Sequence, residues 1–208
     1  MKLKGLFLLL LAGCAALVEA QTTGTPPDAL VKNVTNEVLQ VIRSDKDIQA
    51  GSNKKAIELI EAKVLPHFDF THMTQLALGR DWKAANPAQQ KQLADEFHTL
   101  LVRTYAKALT EYKDQSIEFK PFKMGAGDAD VKVRTQVNQA GGKPIPLDYY
   151  LEKLAAGWKV YDIEVDGISL VTNYRNSFST EVHNGGIDGL IKSLQGKNKS
   201  GTSGDKKS

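Results

Sequence analysis

The chain has 208 residues, with 27 basic against 24 acidic side chains and a formal net charge of +3. A length of this order suits one ordinary domain, or one domain with an appendage, and so even a balance of charge supplies no basic field of the kind that binds nucleic acid. The single cysteine, Cys14, falls in an apolar leader, which leaves the remaining chain no disulfide and no thiol nucleophile, so it must be held together by burial of a core.

Lys2 and Lys4 precede the apolar run Leu6 to Leu17, and Val18-Glu19-Ala20 places small residues three and one before a cut. This is the pattern of a secretory signal, and it is too short to remain as a membrane span. Cleavage after Ala20 starts the mature chain at Gln21 and, by removing two lysines and one glutamate, takes the formal charge from +3 to +2. Leu11-Ala12-Gly13-Cys14 also resembles a bacterial lipoprotein box. The apolar segment before Cys14 is short for that use, and its length favours the soluble product over lipidation.

The expected domain runs from 21 to 195, with N-terminal helices over 28–85, a long helix over 87–112, a sheet over 116–166 and C-terminal helices over 172–195. Asp28 is the expected cap of a first helix whose Leu30, Val31, Val34, Val38, Val41 and Ile42 follow three–four spacing and bury one stripe. Residues 44–53 are polar and bridge to a second helix, Lys54 to Leu65, which Pro66 stops. In PHFDFTHMTQLALGRDW, Thr71 is the expected cap of a short helix through Leu78, and Gly79 fits its end. Asn86-Pro87-Ala88-Gln89 is a strong helix start. The helix that follows carries the inward stripe Leu93, Phe97, Leu100, Leu101, Thr104, Tyr105, Ala108, Leu109 and Tyr112.

From Ser116 the period changes to two. Ile117 and Phe119 alternate with polar residues, as do Val131, Val133 and Val137; then Leu147, Tyr149 and Leu151, and after the turn at Ala155-Ala156-Gly157, Tyr161, Ile163 and Val165. Four strands in meander order are expected, antiparallel, with one wet face. After Gly167 the chain enters a helix capped near Thr172 or Asn173, with Tyr174, Phe178 and Val182 inward; Gly185-Gly186 breaks it, a last helix spans 187–194, and 196–208 reads as a disordered tail. The fold class is α+β: a curved antiparallel sheet clasped by a long helix, enclosing a cone-shaped hollow.

His67, Asp69 and His72 lie within six residues but match no zinc spacing, and no metal is expected there. Asp162, Glu164 and Asp166 read as a solvated strand face rather than a calcium site. Tyr105, Tyr149, Tyr161, Tyr174 and Asp148 are the candidates for an isomerase- or dehydratase-type enzyme acting on a small hydrophobic substrate. The sequence has no hydrolase elbow, phosphate loop or metal-helix motif. An aliphatic, tyrosine-bearing inward set also suits a lipid pocket, or an ordinary core; periodicity leaves these alternatives open.

A resemblance adds to this. Leu65-Pro66-His67-Phe68-Asp69-Phe70, Leu78-Gly79 with Trp82, Pro87 and Gln90, Leu101-Val102-Arg103-Thr104-Tyr105, Trp158 to Leu170, Tyr174-Arg175, Phe178 and Gly186-Ile187-Asp188-Gly189-Leu190 together resemble the MlaC or toluene-tolerance family, over about Pro27 to Leu194. That family commonly has glutamate where this chain has Asp166.

The resemblance implies an NTF2-like fold and a monomeric, non-enzymatic periplasmic carrier without cofactor. Its cargo would be a glycerophospholipid, passed between an outer-membrane lipoprotein–porin complex and an inner-membrane ABC transporter with an MCE-domain ring, so maintaining outer-membrane lipid asymmetry. The expected lining of the lipid site is Leu76, Phe97, Leu101, Tyr105, Leu109, Val131, Val133, Leu147, Tyr149, Leu151, Tyr161, Ile163, Val165, Ile168, Leu170, Tyr174 and Phe178.

Overall fold

The computed structural model describes residues 24–204; the expected signal segment, its cleavage site and Cys14 lie outside the described residues. Helix α1 spans Pro27–Ser44, α2 Lys46–Gln49, α3 Asn53–Leu59, α4 Phe70–Leu78 and α5 Pro87–Thr110. Strands β1 Ser116–Phe119, β2 Asp130–Asn138, β3 Ile145–Leu154, β4 Gly157–Val165 and β5 Ile168–Ser169 follow, and α6 Arg175–Gly204 is the last described element. No helix among the described residues is long and apolar enough to cross a membrane.

Several helix starts differ from expectation in an instructive way. Pro26 precedes α1 with no side-chain cap, and Asp28 lies inside the first turn, where its charge meets the positive end of the helix instead. Asp69 rather than Thr71 caps α4, its Oδ1 accepting from the His72 amide at 2.9 Å. The expected capping box of α5 is formed, with Asn86 and Gln89 exchanging bonds of 3.0 Å. The polar bridge after α1 holds α2, because Asp45 accepts from the amides of Asp47 and Ile48 and so supplies a second cap. Helix α6 breaks at Gly186, whose φ is 66°, and then runs through Gly204, so that residues 196–204, expected to be disordered, are helical; Asn198 in this stretch is buried and bonds to Glu96 at 2.7 Å.

The sheet has five strands in the order β1-β2-β3-β4-β5, all antiparallel, one more than four. The two residues of β5 are too few to show a period. They fold back on β4 through Asp166 and Gly167, both at positive φ (50° and 81°), the requirement of a tight primed hairpin that Asp-Gly meets. Between β3 and β4 the register slips: Tyr150 faces Asp162 but Leu151 faces Val160, leaving Tyr161 as an extra residue. This bulge means that Trp158 and Val160 share the inner face with Ile163 and Val165, while Tyr161 and Asp162 both fall on the outer face.

Three apolar clusters surround the interior. Phe97 and Phe178, ring centroids 5.2 Å apart at 76°, centre one between α4, α5 and α6. Val131, Val133, Leu151, Trp158 and Val160 form the second on the sheet, and Val38, Ile42, Ile48 and Leu59 the third among α1 to α3.

The outer face carries charge. Lys132 reaches Asp148 at 2.8 Å and Glu164 at 3.7 Å and lies 4.9 Å above the Tyr150 ring. Asp162, expected on a solvated face, is buried instead. Its carboxylate accepts from Ser169 Oγ at 2.5 Å, the Ile163 amide at 2.8 Å and the Val171 amide at 3.3 Å. Burial nevertheless pushes its carboxyl pKa up. It ties β4 to the chain that leads from β5 into α6.

Asp162→Ala strands these donors and is expected to lower stability by about 2–3 kcal/mol, with Asp162→Asn milder, as read from urea unfolding midpoints. A second outcome concerns acid. His98 of α5 packs on Phe70 at 4.6 Å, its Nε2 shut from solvent without a partner among the described residues. Burial lowers its pKa from 6.5. The unfolded chain therefore binds this proton more readily, and folding stability falls as pH drops from about 6.5 toward the folded pKa. His98→Leu is expected to flatten that loss when unfolding is compared at pH 7 and pH 5.

Candidate functional site

The inner sheet face and α5 do not close on each other. Between them lies a hollow of two lobes. The larger, about 570 Å³, is bounded by α1 (Leu30, Val31, Val34, Thr35, Val38, Leu39, Ile42), the end of α5 and the sheet residues Ile117, Val137, Ile145, Leu147, Tyr149, Val160 and Ile163. The smaller, about 320 Å³, is bounded by Ile60, Leu65, Phe70, Met73, Leu101, Val102, Tyr105, Val165 and Leu170. The lobes share Val38, Val64, Phe68, Ala108, Leu109, Leu147, Tyr149 and Ile163, so they are branches of one space. The polar groups of the larger lobe are few: Glu111, Gln115 and Gln139 toward one side, His67, and the hydroxyls of Thr35, Tyr112 and Tyr149.

Each wall has a local cause. Period-two alternation in β3 sends Leu147 and Tyr149 inward, and the bulge keeps Ile163 and Val165 on the same side despite the break in β4. Residues 60–64 form one wide helical turn that closes into a 3₁₀ turn at Leu65–His67. Phe68 then bridges to Val160, and the Asp69 amide donates to Val160 O at 2.9 Å. This pins Phe68 to the rim where both lobes meet.

The hollow is low in polarity, and its tyrosines show it. The surrounding apolar protein desolvates Tyr149 and raises its pKa to about 12, while the Thr35 hydroxyl tempers the shift. It keeps accessible surface all the same, because it faces the hollow. Burial also raises Tyr105 to about 12, and the neighbouring Tyr174 adds to the shift.

Of the residues expected to line the site, Leu101, Tyr105, Leu109, Leu147, Tyr149, Ile163, Val165 and Leu170 face the hollow. The structure places the others elsewhere. Phe97 and Phe178 are solid core between helices, with Leu76 and Tyr174 packed against them. Val131, Val133 and Leu151 fill the cluster toward the other end of the sheet. Tyr161, turned by the bulge, lies outside, stacked on His72 at 4.4 Å and donating to Asp130 at 2.8 Å. Ile168 is 61% exposed in the hairpin. The α1 stripe, Val64 and Val160 line the hollow and were missed; the three–four spacing of α1 marked a buried stripe, but not that it faces a void.

The acid and tyrosines of the enzyme reading do not converge. Asp148 is on the outer face with Lys132, with the sheet between it and Tyr105 and Tyr149. Among the described residues no three His, Asp or Glu side chains gather as metal ligands. A separate depression of about 620 Å³ lies outside, between α5, the start of α4 and the β3–β4 hairpin. Its floor includes Phe68 and Phe70, but Gln90, Lys91, Asp95 and Lys159 make it a polar surface groove.

Comparison with known proteins places this geometry. A solved structure from Ralstonia solanacearum, of a phospholipid-binding protein in complex with a phospholipid, is 41% identical, with a TM-score of 0.78 over 84% of this chain and 98% of that one. The toluene tolerance protein ttg2D of Pseudomonas putida is 29% identical over 93% of this chain and 87% of its own. The intermembrane phospholipid transport system binding protein MlaC of Haemophilus influenzae is 24% identical over 82% of this chain and 81% of its own. Residues 32–196 match the family described as MlaC protein, and on that span, with the fold it carries, the chain belongs to the MlaC family.

Proposed function

We propose that this chain is a periplasmic carrier that binds a glycerophospholipid, acyl tails in the hollow and head group outside, and moves it between the outer and inner membranes. The observation that carries the reading is the forked apolar hollow: two lobes, joined at Leu147, Tyr149 and Ile163, fit a two-tailed ligand. The relative crystallised with a phospholipid supports it.

The energetics fit a carrier. Two acyl chains carry on the order of 28 methylenes, and at roughly 0.8 kcal/mol each their burial is worth about 20 kcal/mol gross. Cargo so held leaves slowly on its own, so loading and release fall to membrane partners. The partners we infer are an inner-membrane ABC transporter with an MCE-domain ring and an outer-membrane lipoprotein–porin complex, and the traffic would maintain outer-membrane lipid asymmetry. The carrier acts as a monomer and needs no cofactor. Head-group selectivity is expected to be weak, because the polar groups around the larger lobe are few and the charged network of the sheet is on its far face. The enzyme reading loses its support where Asp148 leaves the interior.

Organic extraction of the purified mature protein is expected to yield near-stoichiometric phospholipid by mass spectrometry; repeated preparations free of lipid would defeat the proposal. Leu101→Glu and Ile163→Glu each put a carboxylate into the apolar walls, at a desolvation cost of several kcal/mol. Both are expected to abolish loading while circular dichroism still reports the fold, and a folded variant that carries lipid normally would remove that residue from the site.

A further inference from the structure

Hydroxyl groups on the lining of the hollow are few: Thr35, Tyr105, Tyr112 and Tyr149. Tyr112 donates to Gln115 O at 2.5 Å and accepts from Arg43 at 2.8 Å, and Tyr105 lies beside Tyr174. Away from the lining, Thr74, Thr99 and Thr104 each return their hydrogen to the carbonyl four residues back, at 2.6, 3.0 and 2.7 Å. Thr35 makes no such bond among the described residues; its hydroxyl faces that of Tyr149 across the space between α1 and β3.

Each hydroxyl owns one hydrogen, and no carbonyl or carboxylate among the described residues takes either of these two. Both are available to an acceptor that enters the hollow. Tyr149 borders both lobes. A diacyl glycerolipid forks at its glycerol, and its two ester carbonyls sit at that fork. Tails lying in separate lobes bring those carbonyls to the junction where Tyr149 stands.

We propose that the Thr35–Tyr149 hydroxyl pair is a subsite for the ester carbonyls of the bound lipid, so that the protein selects its cargo by the ester linkage at the fork rather than by the head group. This rests on the carrier reading above. The pair would register the glycerol at one depth, with the tails below and whatever head group the lipid bears beyond. A site built around a hydrogen bond penalises the analogue that lacks the acceptor, which here is the dialkyl ether lipid.

The test is competition between diacyl phosphatidylglycerol and its dialkyl ether analogue, with matched chains, for loading onto the delipidated protein, read by mass spectrometry. Wild type is expected to favour the ester lipid about tenfold, the value of one net hydrogen bond. Tyr149→Phe, which keeps the ring and removes the hydroxyl, is expected to load both equally. Equal loading by wild type, or a preference that survives Tyr149→Phe, overturns the subsite while leaving the carrier intact. Loading of neither lipid by wild type overturns both. Infrared spectra of wild type loaded with ¹³C-carbonyl lipid give a readout independent of how the variant folds. The ester band is expected at lower frequency than for the same lipid in hydrocarbon, and an unshifted band overturns the subsite.

Discussion

Two apolar walls held apart are the constraint on which this protein turns. The walls of the larger lobe stand apart over about 570 Å³. An apolar lining of that extent left to water forgoes the free energy its burial would yield, and an apolar occupant would recover it. The three clusters that do pack, around Phe97, around Leu151 and around Ile42, form the rigid frame that keeps the walls from collapsing together.

The frame depends on details of the sheet. A continuous β4 would carry Tyr161 inward with Ile163 and turn Val160 out. The bulge opposite Leu151 absorbs one residue, so that aliphatic side chains stay inside on both halves of the strand. Asp162, next to inward Ile163 and so on the outer face, accepts there from Ser169, Ile163 and Val171 and fastens the approach to α6. On the outer face Lys132 pairs with both Asp148 and Glu164, and the hydroxyl of Tyr150 donates to Glu164 at 2.6 Å.

This segregation bears on the acid and tyrosine pairing of the enzyme alternative. Of its candidates, Tyr105 and Tyr149 face the hollow, but Asp148 is engaged on the far side of the sheet, as is Asp162, and Glu111, the carboxylate on the lining, is exposed just past the end of α5. The rest of the lining is mostly hydrocarbon, with His67, Glu111, Gln115, Gln139 and a few hydroxyls on the larger lobe, a surface suited to holding a ligand through burial and a few directional bonds.

The sequence by itself determined the α+β class, the long helix with its Asn86-Pro87-Ala88-Gln89 start, the alternation of β2 and β3, the break at Gly186, and most of the hollow residues from α5 and β3. Those features are written in local chemistry: caps, proline, glycine and period. Tertiary structure decided the rest. The bulge at Tyr161 leaves no local mark, because strand register belongs to the pair of strands and not to either one. Asp162 reads as solvated until the chain after β5 covers it, and the residues from Gly196 read as disordered until Asn198 meets Glu96. Above all, a stripe such as Val31, Val34 and Val38 has the same spacing whether it meets another side chain or bounds a void. Periodicity records which face avoids water, and only the distance to the opposite wall shows what takes water's place.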